Sequence, residues 1–226
     1  SMARGMRRAR TWAAWISVTM AVLMAPGGSA ASLDTWPWSA VGRVLHDGRG
    51  PCSGVLVAPR QVLTVGHCVA RKRPWRAHDA ARLSVVLDGT THDVRTVELA
   101  RASPFDGEGR LVAVRHDWAV LTLRAAAAVE PLPRAADAAA RRAFAMDEPL
   151  FKVGWSGASR QRDVACKVVE ADDDVFAFTC PGGAGTGRSG SAILQRSEGG
   201  YRVLGVQSAE ARNAFTTLGL AVRGPP

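Results

Sequence analysis

Long apolar runs are scarce in this chain of 226 residues. The longest extends from Trp12 to Met24, and its 13 residues fall short of the roughly 20 that a membrane-spanning helix needs. Four arginines precede it, and the small residues Gly27 to Ala31 follow it. This order is typical of a secretory signal peptide. We therefore expect residues 1–30 to be a signal peptide, with an uncleaved membrane anchor as the alternative. The exported chain is then secreted or periplasmic, with no stable membrane insertion.

A strong charge imbalance is also missing from the exported part. The formal net charge is +9, and four of these charges lie in the first 30 residues with no acid beside them, which leaves +5. A balance of this size favours solubility and a mild preference for acidic surfaces, and it argues against nucleic-acid binding. The densest basic cluster, Arg71 to Arg73 with Arg76, is interpreted as a solvated loop.

The sequence contains no Cys-x-x-Cys motif and no paired histidine spacing, which argues against a zinc site. We expect no metal and no cofactor. Four cysteines lie beyond the signal peptide, and an even number in an exported protein predicts disulfides. Three pairings are possible. Proximity in sequence favours two of the bonds, Cys52–Cys68 and Cys166–Cys180.

Helical patterns are rare, and short strand-like runs separated by Gly, Pro and Asp dominate the chain. Such spacing predicts an all-β barrel or sandwich. The exception is the Ala- and Arg-rich segment from Ala135 to Ala145, which could form a helical turn or a connection. The stretch Leu123 to Arg134 is the best candidate for a domain boundary. The predicted strands are Val41–Leu45, Gly54–Ala58, Val62–Val65, Leu83–Leu87, Asp93–Leu99, Trp118–Leu123, Leu150–Val153, Ala192–Leu194, Val203–Val206 and Leu218–Val222.

Three local clusters carry residues suited to nucleophilic catalysis. His67 ends the run Leu63-Thr64-Val65-Gly66, Asp117 precedes the apolar run Trp118 to Leu121, and Ser189 lies in Gly185-Thr186-Gly187-Arg188-Ser189-Gly190-Ser191. Each cluster alone has an ordinary structural interpretation. A glycine-rich loop, however, lets backbone N–H groups point at an oxyanion. His116 is expected to face away from Asp117, because neighbours on a strand alternate between faces. The remaining histidines, His46, His78 and His92, are expected to be exposed.

Taken together, these clusters resemble the chymotrypsin-like serine peptidases. The likeness also covers Trp36-Pro37-Trp38, Cys52-Ser53-Gly54, Val153-Gly154-Trp155 and Gly205-Val206-Gln207-Ser208, and the serine loop is similar to that of bacterial glutamyl endopeptidases. The order His, Asp, Ser is that of the chymotrypsin lineage. The resemblance implies two packed six-stranded antiparallel β-barrels with the active site in the cleft between them. Their expected ranges are 31–124 and 135–226, joined by a linker at 125–134.

The resemblance also implies the roles of the residues. Ser189 would be the nucleophile, His67 the general base and Asp117 the group that orients the histidine, as in the chymotrypsin-type template. The backbone N–H groups of Gly187 and Ser189 would form the oxyanion hole. The implied partner is a protein or peptide substrate, and we expect a monomer.

Three positions depart from the family pattern. Arg188 replaces the aspartate that pairs with a new N-terminus in the digestive relatives, so no activation cleavage of that type is expected. Gly183, at the expected floor of the substrate pocket, carries no charge, and Gln207 replaces the histidine of the glutamate-specific relatives. Ser208 and Glu210 are expected to lie along the substrate. The alternative functions are an inactive binding protein of the cell envelope on the same scaffold, and a structural envelope protein.

Overall fold

A computed structural model describes residues 32–135, 149–181, 189–197, 199–212 and 217–225. The signal peptide expected at residues 1–30 and most of the Ala-rich segment lie outside these ranges. The described chain is all-β and forms two closed six-stranded antiparallel barrels. The predicted fold class is therefore confirmed. No helix in the described part is long and apolar enough to cross a bilayer.

The first barrel is built from strands that alternate between buried and exposed side chains. In Leu83–Leu87, for example, residues 83, 85 and 87 are buried while the two between them are partly exposed. The strands are hydrogen-bonded in the order β1-β2-β3-β8-β7-β6. They are β1 (Val41–His46), β2 (Arg49–Ala58), β3 (Gln61–Thr64), β6 (Leu83–Leu87), β7 (Thr90–Leu99) and β8 (Ala119–Leu123).

The second barrel follows the order β10-β11-β14-β13-β12-β9. Two of its strands, Ser159–Ala171 and Val175–Thr179, were not predicted. Most side chains of the longer one, Ser159–Ala171, are exposed or partly exposed, so it lacks the apolar run of a buried strand. The strands are β9 (Leu150–Ser156), β10 (Ser159–Ala171), β11 (Val175–Thr179), β12 (Ala192–Ser197), β13 (Gly200–Arg212) and β14 (Thr217–Val222).

A separate two-stranded hairpin carries the basic cluster. Its strands are β4 (Ala70–Lys72) and β5 (Trp75–Ala77), which pair antiparallel. The interpretation of this cluster as a loop was therefore wrong, although its four basic residues are exposed. Short 3-10 turns complete the described secondary structure: Trp38–Ala40, Gly66–Cys68, Ala80–Arg82 and Val114–His116.

The segment between the barrels is hydrogen-bonded to both. The Leu132 N–H donates to the Leu56 carbonyl of β2 at 2.9 Å, and the Val203 N–H of β13 donates to the Pro133 carbonyl at 2.8 Å. Leu132 itself is fully buried in a core that contains side chains from both barrels. The connection thus fixes the barrels to one another, as a cleft between them requires.

Two disulfides brace the barrels. Cys52–Cys68 joins β2 to the Gly66–Cys68 turn, and Cys166–Cys180 joins β10 to the residue after β11. These are the pairs favoured by proximity in sequence. Each closes a loop of about 15 residues, a size for which chain entropy gives about 3 kcal/mol. The first bond immobilises the backbone next to His67.

Candidate active site

His67 lies on the 3-10 turn that follows β3, between Gly66 and the disulfide-bonded Cys68. Its backbone N–H donates to Asp117 Oδ1 at 2.8 Å, and its ring Nδ1 lies 2.7 Å from Asp117 Oδ2. Both contacts fix the imidazole against one carboxylate. An ionised carboxylate can only accept a hydrogen bond, so Nδ1 carries the proton and donates to Asp117, and Nε2 is the ring nitrogen able to accept another proton.

Asp117 is fully buried and follows the 3-10 turn Val114–His116. Because His116 ends that turn and β8 begins only at Ala119, the strand argument that placed His116 on the opposite face was wrong. The buried carboxylate accepts a third hydrogen bond, from Ser208 Oγ at 2.5 Å. A buried charge is tolerated when it is hydrogen-bonded in this way.

Ser208 lies on β13 of the second barrel, whereas Asp117 belongs to the first. It is 4% exposed, and its hydroxyl is engaged by Asp117. This contact was not expected, because the sequence placed Ser208 only along the substrate. A serine 91 residues away carries no sequence signal for such a bond. The second barrel therefore contributes directly to the environment of the His67–Asp117 pair.

Trp75, on the hairpin, packs against the turn that carries His67. A Cβ added to Gly66 would lie 2.7 Å from the Trp75 ring, a distance that real side chains do not adopt. The indole Nε1 donates to the Ala100 carbonyl at 3.0 Å, just after β7. Gly66 is therefore required for the indole to fit, and the indole braces the histidine turn.

Ser189 begins a tight turn immediately before β12. Its carbonyl accepts a hydrogen bond from the Ser53 N–H of the first barrel at 2.8 Å, and the Gly190 N–H donates to the Gln207 carbonyl at 2.8 Å. Gly190 has φ of +80°, and a Cβ there would lie 1.9 Å from the Ser53 carbonyl oxygen. Only glycine allows this turn to approach the first barrel so closely.

Ser53 is the residue on which these contacts converge, although sequence reasoning did not single it out. It is fully buried on β2, and its Oγ accepts a hydrogen bond from the Trp155 N–H of β9 at 2.8 Å. Its carbonyl accepts one from Thr64 Oγ1 at 2.6 Å. One serine thus links the serine turn, the strand preceding the His67 turn and the second barrel.

The remaining predicted site residues divide into two groups. Gly187 of the oxyanion hole, Gly183 of the pocket floor and Arg188 lie outside the described residues. Gln207 and Glu210 lie on β13, where the Gln207 side chain is buried and its Nε2 donates to Glu210 Oε1 at 3.4 Å. In the described part, no three metal-binding side chains come close enough together to hold an ion.

A fixed imidazole, a buried carboxylate and a serine held on a glycine turn are the groups that nucleophilic acyl transfer uses. A comparison with protein families agrees with this chemistry. A family model described as a trypsin-like peptidase domain matches residues 52–206, well over half of the chain and a range that contains His67, Asp117 and Ser189. The chain belongs to the family of trypsin-like peptidase domains.

Proposed function

We propose that the protein is a secreted serine endopeptidase that uses Ser189, His67 and Asp117 as its catalytic triad. The observation that carries this proposal is the pair of hydrogen bonds between His67 and the buried Asp117 carboxylate. A surface histidine has no need of a desolvated carboxylate behind it. A general base does, because the carboxylate fixes the tautomer and stabilises the imidazolium that forms.

In the proposed reaction, Ser189 Oγ attacks the carbonyl carbon of the scissile bond while His67 Nε2 takes the hydroxyl proton. The tetrahedral oxyanion is stabilised by the backbone N–H groups of Gly187 and Ser189. Collapse expels the amine, which receives the proton from His67, and leaves an acyl group on Ser189. Water then attacks the acyl-enzyme by the same proton transfers in reverse order and releases the acid.

We further propose that the exported chain begins near Ala31 and is active without trypsin-type trimming. Arg188 cannot pair with a new N-terminal ammonium. The N-terminal segment also has a different anchor, since the nearly buried Arg160 side chain hydrogen-bonds the Leu33 and Val41 carbonyls and lies 3.2 Å from Asp34 Oδ1. The Arg160 guanidinium is stacked on Trp155, with 4.9 Å to the ring centroid.

Export is supported by the two disulfides, which persist in oxidising compartments, and by the basic and apolar segment at residues 1–30. The likeness of the serine loop to glutamyl endopeptidases remains a prediction about specificity, and Gln207 argues against glutamate preference. Profiling a peptide library with the purified protein would identify the residue that precedes the cleaved bond.

The test of the proposed activity is labelling with a fluorophosphonate probe, which reacts with activated serines. We expect the exported protein to be labelled and the Ser189→Ala variant to be unlabelled. Ser197→Ala is the matched control, because Ser197 is exposed at the end of β12 and should leave labelling intact. A folded wild-type protein that takes up no label would instead favour the inactive binding protein.

A further inference from the structure

The β4–β5 hairpin carries four basic side chains that the proposed chemistry does not use. Arg71, Lys72, Arg73 and Arg76 are all exposed. None of them forms an ion pair within the described ranges, whereas Arg82 pairs with Asp47, and Arg110 pairs with Asp106 and Glu108. The hairpin therefore presents positive charge that the described part of the molecule does not neutralise.

Arg71 and Arg76 are directly opposite one another in the register of the two strands. Side chains at opposed positions point to the same face, and like charges placed there are destabilising. An acidic or neutral partner in either strand would remove the repulsion. Each of the two opposed guanidinium groups can instead bind a carboxylate in bidentate fashion.

The positive charge of the hairpin affects the pKa of a neighbouring histidine. The pKa of His78, which follows β5, is lowered first by partial burial and then by the charges of His46, Arg71 and Arg82. Asp47 is held by Arg82, and Asp79 caps the next 3-10 turn. Asp106 and Glu108 precede Gly109, where an added Cβ would lie 3.4 Å from the Arg73 guanidinium, and both pair with Arg110. Within the described residues, none of these carboxylates forms an ion pair with a hairpin arginine.

The opposite face of the hairpin is anchored to the protein. The Lys72 ammonium lies 4.7 Å from the centre of the Phe105 ring, and Trp75 packs edge-on against the same ring. Trp75 also fills the space beside Gly66. The hairpin begins two residues after Cys68, so its arginines are held on a fixed support next to the turn that carries His67.

We infer that the hairpin face bearing Arg71 and Arg76, with Arg73 at its tip, is a docking surface for acidic segments of protein substrates. The inference rests on the proposed function, since only a substrate benefits from being held beside His67. A membrane or nucleic acid would be attracted by the same charges, but the hairpin begins two residues after Cys68, next to the turn that carries His67, and the exported chain carries only a modest net charge.

Binding can be measured without turnover, in the Ser189→Ala background. The probe is a fluorescein-labelled peptide of alternating Asp and Glu, and an Asn/Gln peptide of equal length is its neutral control. We expect the acidic peptide alone to bind, with an affinity that falls as salt is raised. The triple variant Arg71→Gln/Arg73→Gln/Arg76→Gln should lose about tenfold in affinity at low salt.

A second triple variant, Arg95→Gln/Arg124→Gln/Arg196→Gln, removes the same charge from exposed positions outside the hairpin and should bind almost as the parent does. Equal losses in the two triple variants would overturn the inference, because net charge would then explain the binding. Hairpin-dependent binding to phosphatidylserine vesicles or to a single-stranded oligonucleotide, without binding of the acidic peptide, would also overturn it.

Turnover is tested separately with two peptides that share one cleavable sequence, one of them extended by an acidic tail. We expect a kcat/KM about tenfold higher for the tailed peptide, abolished in the hairpin triple variant while the untailed peptide is cleaved normally. Equal rates for the two peptides would refute docking but leave the peptidase proposal standing. Failure to cleave either peptide would refute the peptidase proposal, and the binding measurement would still decide whether the surface takes acidic peptides.

Discussion

The two barrels share a strand order but differ in what they bury. In the described part of the first barrel, the buried polar side chains are short, and Asp117 is the one charged group among them. The second barrel buries long polar side chains: Lys152, Arg160, Gln195, Gln207 and Arg223. The first barrel is thus an apolar frame with one buried charge, directed at His67. The second barrel contains buried cations, and its stability depends on the groups that pair with them.

The largest effect should follow from the one buried charge of the first barrel. Asp117→Asn keeps the shape but favours the wrong imidazole tautomer, and we expect kcat at pH 7 to fall about 10⁴-fold, as it does in the chymotrypsin-type template. Asp106→Asn is the control, because Asp106 forms an exposed pair with Arg110. Steady-state kinetics gives kcat for both variants. If kcat falls in Asp106→Asn and not in Asp117→Asn, Asp117 is not the triad aspartate.

The second barrel should be most sensitive at Lys152. This fully buried lysine of β9 lies 2.9 Å from Asp163 Oδ2 on the neighbouring strand. Lys152→Met removes the buried cation beside the Asp163 carboxylate and should lower the free energy of unfolding by about 3 kcal/mol. The double variant Lys152→Met/Asp163→Ala should regain most of this loss. Equal urea midpoints for the single and double variants would show that the ion pair does not matter.

Packing behind the histidine turn gives the next effect. Gly66→Ala places a methyl group 2.7 Å from the Trp75 ring and 3.2 Å from the Trp118 carbonyl oxygen, so we expect about 2 kcal/mol of destabilisation and reduced activity. Gly66→Ala/Trp75→Leu should recover activity, because the smaller side chain makes room. If the double variant is worse than the sum of the singles, the clash is not with Trp75.

The bond between the barrels at Ser208 should have a smaller effect. Ser208→Ala removes one of three donors to the Asp117 carboxylate, and we expect kcat to fall about tenfold with little change in KM. Thermal unfolding measured in parallel separates a catalytic effect from a loss of fold. Unchanged kcat would show that the two histidine donors are sufficient.

The smallest effect is a pH dependence of stability that arises from His78 in the first barrel. His78 stacks on His46 at 4.1 Å, and Arg71, Arg82 and Asp47 are its charged neighbours. Its pKa is lowered from 6.5, chiefly by burial, so the unfolded chain binds the proton more readily. Stability is therefore complete above 6.5 and falls as the pH drops below it. In His78→Gln, the urea midpoint should depend less on pH below 6.5. An unchanged dependence would show that His78 is not its cause.

Much of the fold could be read from apolar runs. Ten strands were predicted, and all ten lie within or overlap strands of the two barrels. The strand β10 was missed because only three of its 13 side chains are buried, and one of the three is an arginine. The buried residues are Arg160, Cys166 and Val168. The hairpin was missed because half of the residues in its two strands are charged, and strands outside a core need no apolar pattern.

The site was less accessible to sequence reasoning than the fold. His67, Asp117 and Ser189 could be named from their motifs, but the sequence gives no distance between residues 50 positions apart. The contacts of Ser53 and Ser208 could not be predicted, since serine is common and their hydrogen bonds join one barrel to the other. The requirement for glycine at position 66 could not be predicted either, because it comes from Trp75, which lies on the hairpin that was not predicted.

In the proposed mechanism, the His67–Asp117 pair of the first barrel activates Ser189 of the second. Rapid mixing with p-nitrophenyl acetate tests it most directly, because an acyl-enzyme produces a burst of nitrophenol. We expect about one equivalent per chain, with the acetyl group mapped to Ser189 by mass spectrometry, and a burst slowed at least ~10³-fold in His67→Ala. An acetyl group on another residue, or an unchanged burst in His67→Ala, would contradict the claim.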